Sequence, residues 1–326
     1  RIDYTGGGCP HILAEPESTN LNTNYNLLTA INAGAVSLNN SISPDGTQNA
    51  TKLTFGAGTN DGANISVGGS TCVASTLYTF SFYAKSVVGD GQFNLRLDTN
   101  SQSVLVNQGF TTTTDWVRYT HTFTSDAAAT SFGSNSRFRK VTASNEILFY
   151  GMQLEKLSYS TSIIPTSGST VTRNQDIFTR DGIGSLINST EGVLFVEMAA
   201  LSDDGTDRRI TLSDGSVSDQ VIIGLSRFAS NINAEIHSGG VLQTSGWGGT
   251  GVTQTNNNKF AISWGSGTMK FYINGSPIST QTGITSPIGL NSLKFSLGND
   301  TLNMFAKVKQ LQIFKTADID LAALTS

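Results

Sequence analysis

Apolar and polar residues alternate one for one over short runs along most of this chain, and each run stops at a turn signal. Successive side chains of an extended strand point to opposite faces, so such runs read as strands with one face buried. In 78–85, Tyr78, Phe80 and Phe82 share a face and leave Thr79, Ser81, Tyr83 and Lys85 on the other. Phe93, Leu95 and Leu97 likewise set Asn94, Arg96 and Asp98 opposite them. In 116–123, Val117, Tyr119 and Phe123 suit a core, which turns Trp116 and Arg118 outward. Pro44-Asp45-Gly46, Gly68-Gly69 and Gly89-Asp90-Gly91 punctuate these runs.

The pattern breaks over 160–180 at Pro165, Ser167-Gly168-Ser169 and Thr172-Arg173-Asn174, then resumes at 192–201, 208–213, 220–226, 231–237, 259–264, 268–274, 292–298 and 304–315. Asn274-Gly275, following Phe271-Tyr272-Ile273, is the strongest hairpin signal, since both central positions of that turn need positive φ. Asp318–Leu324 predicts a short helical turn. At 326 residues the chain exceeds the usual single-domain size. With 34 glycines and 13% charged residues, it reads as all-β, two tandem β-sandwiches. The expected division is an extended arm over 1–20, where Gly6-Gly7-Gly8, Pro10 and Pro16 oppose regular structure, a first sandwich over 21–160, a linker over 161–180 and a second sandwich over 181–326.

A net charge of −4, with Lys and Arg scattered singly, argues against a nucleic-acid partner. No apolar run approaches the roughly 18–20 residues that span a bilayer, so no membrane insertion is expected. The chain starts at Arg1, consistent with a processed product or a piece of something longer. Cys9 and Cys72 are the only thiols, expected as two free cysteines, with a bridge between them as the alternative. Phosphate loops, a Gly-x-Ser-x-Gly nucleophile turn and paired carboxylates alternating on one strand are all missing.

Sugar recognition needs an aromatic face against the apolar side of a pyranose, with planar polar groups matching its hydroxyls. Tyr83, Arg96, Asp98, Trp116 and Arg118 supply that set if their strands pair as neighbours. The plainer reading of the same residues is a solvated sheet face with one aromatic under a loop. Trp247, in Ser245-Gly246-Trp247-Gly248-Gly249, reads as a loop Trp that meets a ligand or a neighbouring subunit, or else folds back onto its own sandwich. Trp264 alternates with Phe260 and Ile262 and is assigned to the core. Arg209, Glu235, His237 and Tyr272 would together be the outline of a polysaccharide lyase. Glu235-Ile236-His237 is similar to the Gln-Ile-His signature of jelly-roll alginate lyases, with the Gln replaced and the other motifs absent, so no catalysis is expected.

Arg1–Pro10, Glu15-Pro16, Thr19-Asn20-Leu21, Ser43–Thr47 with Lys52-Leu53, Tyr78–Lys85, Gly151–Glu155 and Thr161–Thr166 together resemble a jelly-roll module of bacteriophage tail-fibre and spike proteins. That module is similar in fold to the carbohydrate-binding modules of bacterial xylanases and glucanases. The second half, from Lys259–Trp264, Phe271–Gly275 and Lys309–Phe314, resembles a concanavalin A-like, laminin G-like sandwich. The resemblance implies a non-catalytic protein at the virion surface, assembled in a bacterial cytoplasm, whose partners are cell-surface polysaccharide and other virion proteins. It implies a homo-oligomer, a trimer above other symmetries, because weak sites gain avidity by repetition. A purely structural spike or spacer and a depolymerase are the alternatives. No cofactor is expected beyond a structural Ca²⁺, for which Asn20, Gln153 and Glu155 match the module's ion positions.

Overall fold

The computed structural model describes residues 2–3, 10–141, 145–225, 231–244 and 251–326, together with the backbone of 247–249. It is nearly all β and divides into two compact units, one spanning Glu17–Asn174, the other Gln175–Ser326 with the described residues of 1–16. Among the described residues no helix is long and apolar enough to cross a membrane.

In the first unit two five-stranded antiparallel sheets face each other. One runs, edge to edge, Val117–Thr124, Leu77–Val88, Glu146–Glu155, Ala50–Thr54, Ala35–Ser41. The other runs Val106–Thr111, Gln92–Leu97, Arg137–Lys140, Gly62–Ile65, Leu28–Ile31. The predicted inward residues meet between them: Tyr78, Phe80, Phe82, Phe93, Leu95, Leu97 and Phe123 are buried in one cluster. At its centre Phe138 of the second sheet stacks on Phe149 of the first, with centroids 4.3 Å apart. Val117, expected inside, is instead exposed, because its strand is the sheet edge and little lies beyond it.

The chain passes from Leu77–Val88 to Gln92–Leu97 by crossing between sheets, so these sequence neighbours do not pair. That crossing separates two groups that local alternation had merged. Tyr83, Trp116 and Arg118 belong to the outer face of one sheet, and Arg96 and Asp98 to the outer face of the other.

The second unit pairs two larger sheets around a separate core that includes Leu194, Ile210, Ile223, Ile236, Phe260 and Trp264. Trp264 is fully buried and its indole Nε1 donates to the Ser189 carbonyl at 3.1 Å. Asn274 and Gly275 have φ of +48° and +79°, and the chain returns from them as Ser276–Thr282. The strand expected over 292–298 ends at Lys294. Helix Leu321–Thr325 is N-capped by Asp320 and covers Val193, Phe195 and Ala261.

The arm and the linker differ most from expectation. Residues 1–20 are divided: His11–Leu13 pairs with Ala306–Phe314 in the second unit, whereas Ser18–Asn20 pairs with Val171–Arg173 in the first. The expected linker is largely exposed but not free: Thr161, Ile164 and Thr166 are buried in the first unit, Val171–Arg173 is a strand of that unit and Thr179–Arg180 a strand of the second. Glycine and proline there mark turns between short strands, whose unpaired edge groups are satisfied by pairing. Cys72 is a buried free thiol whose pKa is raised by burial, and Cys9 lies outside the described residues.

Phe138→Ala should open a cavity between the sheets and cost about 3–5 kcal/mol. Native-state hydrogen exchange should read this as lost protection of the strand amides around Phe138 and Phe149.

Candidate glycan-binding site

On the outer face of the sheet containing Leu77–Val88, register sets Arg118, Tyr83 and Tyr150 side by side across three strands. Tyr150 takes that place because Phe149 points inward and because an irregularity at Gly151, φ +66°, adds a residue before Gln153 realigns with Ser81. The Tyr83 and Tyr150 rings lie 6.1 Å apart, and Tyr25 meets Tyr150 edge-on at 5.8 Å. The Arg118 guanidinium sits 5.7 Å from the Tyr83 ring centroid and the Lys85 ammonium 5.4 Å from that of Trp116. Trp116 Nε1 donates to the Ile42 carbonyl at 3.2 Å. Trp116, Tyr83 and Tyr25 are half-buried and Tyr150 is buried.

The row ends at a groove of about 290 Å³ lined by Tyr25, Asn24, Asn26, Asn39, Asn49, Thr51 and Leu38. Asp45 ties the groove to the aromatic row. Its carboxylate accepts from Tyr150 Oη at 3.0 Å, Asn49 Nδ2 at 3.0 Å, Ser43 Oγ at 2.6 Å and the Thr47 amide at 2.8 Å. The Ser43 hydrogen bond, reinforced by those from Thr47 and Asn49, holds the Asp45 carboxyl well below the usual carboxylate range. Burial, then the hydrogen bond to Asp45, pushes Tyr150 above the usual phenol range. A phenol so held is a neutral donor and an apolar ring, and its partner stays ionised.

Arg118 gives part of its donor capacity to the protein, at 3.0 Å to Ser81 Oγ and 2.6 Å to the Thr161 carbonyl. Arg96 and Asp98 stand apart on the other sheet, paired with each other at 2.9 Å, and Asp98 is buried. They do not join Tyr83 and Trp116. The side chain of Trp247 lies outside the described residues; its backbone is a strand, Trp247–Gly249, pairing with Asn231–Asn233, where a loop was expected. Of the lyase outline, Arg209, Glu235 and His237 share one sheet, but Tyr272 belongs to the other and packs against Val193 and Phe195. The four do not converge.

Asn20, Gln153 and Glu155 do come together, though not as a cation cage. Glu155 Oε1 accepts from Ser18 Oγ at 2.7 Å and Thr161 Oγ1 at 2.5 Å, and Oε2 from Gln153 Nε2 at 2.6 Å and the Thr161 amide at 3.0 Å. Asn20 Oδ1 accepts from the amides of Asn22 and Leu154, and Gln153 Oε1 from that of Ile164. Each oxygen that would face Ca²⁺ already faces a proton, so these residues do not fit the ion. The Asp203–Asp207 run is a turn in which Asp204 accepts from buried Arg208 at 2.6 Å.

Sequence reasoning missed Tyr25, Tyr150 and the groove asparagines. Tyr150 could have been found by carrying alternation outward from Phe149. Tyr25 lies in a turn with no periodic pattern, and only the fold brings it to Tyr150.

Residues 25–138 match a family model described as a carbohydrate binding domain. No curated protein matches the chain. Among solved structures the chain is similar to the CBM40 of a Ruminococcus gnavus sialidase bound to α2,3-sialyllactose, at 12% identity and TM-score 0.37, over 46% of this chain and 98% of that one. It is also similar to domain 4 of an extracellular arabinanase from Geobacillus stearothermophilus in complex with arabinotriose, at 13% identity and TM-score 0.37, over 48% and 73%. A galectin from Caenorhabditis elegans aligns at 14% identity and TM-score 0.31, over 42% and 89%.

A chelator should leave the melting temperature of the chain unchanged, whereas Glu155→Gln, which turns an acceptor into a donor among donors, should cost about 1–3 kcal/mol in thermal unfolding. The depressed Asp45 pKa stabilises the fold above the unfolded value of about 3.9, and that contribution is lost as pH falls through the folded value. Asp45→Asn should therefore lower the melting temperature more at pH 7 than at pH 3.

Proposed function

We propose that this chain binds glycans without transforming them, through the aromatic row and asparagine-lined groove of the first sandwich. The observation that carries this reading is the pair of half-buried rings Tyr83 and Tyr25, bridged by the buried ring of Tyr150, leading to a concave wall of neutral amides. Stacking surface and paired donor–acceptor groups are what a pyranose presents a partner for. The match of residues 25–138 to a carbohydrate binding domain supports it and includes Tyr25, Asn39, Asn49, Tyr83 and Trp116. Non-catalytic binding is supported by the one carboxylate in this network, Asp45, which five hydrogen bonds hold ionised and which is therefore a poor general acid.

The setting we propose is the surface of a bacteriophage virion, where a fibre or spike attaches to cell-surface polysaccharide. Support comes from the resemblance of Arg1–Pro10, Glu15-Pro16, Thr19–Leu21, Ser43–Thr47, Lys52-Leu53, Tyr78–Lys85, Gly151–Glu155 and Thr161–Thr166 to such proteins. Display on a trimer with other virion proteins would let weak individual sites act together.

On a printed glycan array the full chain should bind polysaccharide fragments, and Tyr25→Ala should weaken binding about tenfold, the loss expected for one stacking contact. Trp116→Ala and Tyr83→Ala should weaken it less, since both rings are partly covered by Lys85 and Arg118. Unchanged binding in all three variants would remove the site and leave a spacer as the better description.

A further inference from the structure

The second sandwich carries a polar cluster that the reading above does not use. Register aligns Arg209, Gly224 and Asn233 in one row across three strands and Thr211, Ile222 and Glu235 in the next. Because Ile210, Ile223, Ala234 and Ile236 turn into the core, these residues share the opposite face. Gly224 is necessary to the arrangement: a Cβ there would fall 2.3 Å from Arg209 Nη1. With no side chain at position 224 of the middle strand, the buried Arg209 guanidinium reaches across it to 4.0 Å from Glu235 Oε1.

Glu235 Oε1 accepts from Asn233 Nδ2 at 3.2 Å, and Oε2 lies 3.3 Å from His237 Nε2. Burial alone would raise the Glu235 pKa, but the hydrogen bond from His237 and the charge of Arg209 outweigh it and keep the carboxylate ionised. Asn233 is 1% exposed, yet among the described residues its Oδ1 meets no hydrogen-bond donor. A buried acceptor left unpaired is costly, and a donor brought by a ligand would satisfy it. Glu235 and His237 keep 23% and 21% of their side-chain surface open, so the cluster can be reached from outside.

Charge narrows the ligand. Arg209 is matched by Asp207 at 3.3 Å and by Glu235, so an anion finds no net positive field, and a metal cation would meet the guanidinium. What remains is a neutral group that both donates and accepts. Hydroxyls do both, and adjacent hydroxyls fit a row in which acceptors (Glu235, Asn233 Oδ1) alternate with donors (Arg209, His237). Leu242, opposite His237 in register and exposed, adds apolar surface beside them.

We propose that Arg209, Asn233, Glu235 and His237 form a second carbohydrate subsite, selective for vicinal hydroxyls of a neutral sugar and independent of the first sandwich. The test uses the full chain carrying Tyr25→Ala, Tyr83→Ala and Trp116→Ala, on a printed array of neutral, uronate-containing and sialylated oligosaccharides. Residual binding to neutral glycans is expected, falling at least tenfold on adding Glu235→Gln or Arg209→Lys. His237→Ala, at a partly open position that does not endanger folding, should weaken it severalfold. Absence of residual neutral-glycan binding, residual binding confined to acidic glycans, or unchanged binding in both Glu235→Gln and His237→Ala would overturn the proposal. The same substitutions in the otherwise unaltered chain separate the two sites: losses from Glu235→Gln without losses from Tyr25→Ala would sink the first-sandwich reading and keep this one.

Discussion

The stack of Phe138 on Phe149, at 4.3 Å, joins the two sheets of the first sandwich at their centre, and the rest of that unit is organised by which residues point toward it. Phe82 packs 5.1 Å from Phe138, so Phe82 and Phe149 are both committed to the interior. Their immediate successors, Tyr83 and Tyr150, must then stand outward, and because they are paired in register they stand together. The outward aromatic row is thus a consequence of the core. A strand cannot bury Phe149 and hide Tyr150 on the same side.

A second organising element is polar. Glu155 is fully buried and ionisable, and such a group is tolerable inside a protein only when donors surround it. Ser18, Gln153 and Thr161 do so, drawing the start of the unit and the segment after its last long strand onto the sheet. The same segment supplies the Thr161 carbonyl that holds Arg118 above the ring of Tyr83. A cation bound by Asn20, Gln153 and Glu155 would serve the same tying role. Here protons on side-chain and backbone donors fill it, which makes the closure a property of the chain's own residues.

Much of this architecture was legible in advance. The inward faces of 78–82 and 93–97, the core position of Trp264, the hairpin at Asn274-Gly275 and most strands of the second unit follow from period-two alternation and turn chemistry. The candidate site was legible in part. Tyr83, Trp116 and Arg118 lie on one outer face as their alternation requires, whereas Arg96 and Asp98 obey the same rule on a different sheet. The glycine- and proline-rich segments misled for a related reason. They mark where regular structure is interrupted, and say nothing of whether the short pieces between will pair with a distant edge.

The amino-acid sequence by itself determined which side of each strand is apolar and where the chain turns, because both depend on residues adjacent along the backbone. Tertiary structure alone decided which sheet each strand joins, that Tyr25 meets Tyr150 across 125 positions of chain, and that Gly224 opens a path for Arg209. Those outcomes depend on backbone pairing and close approach between residues far apart in sequence, and local alternation carries no record of them.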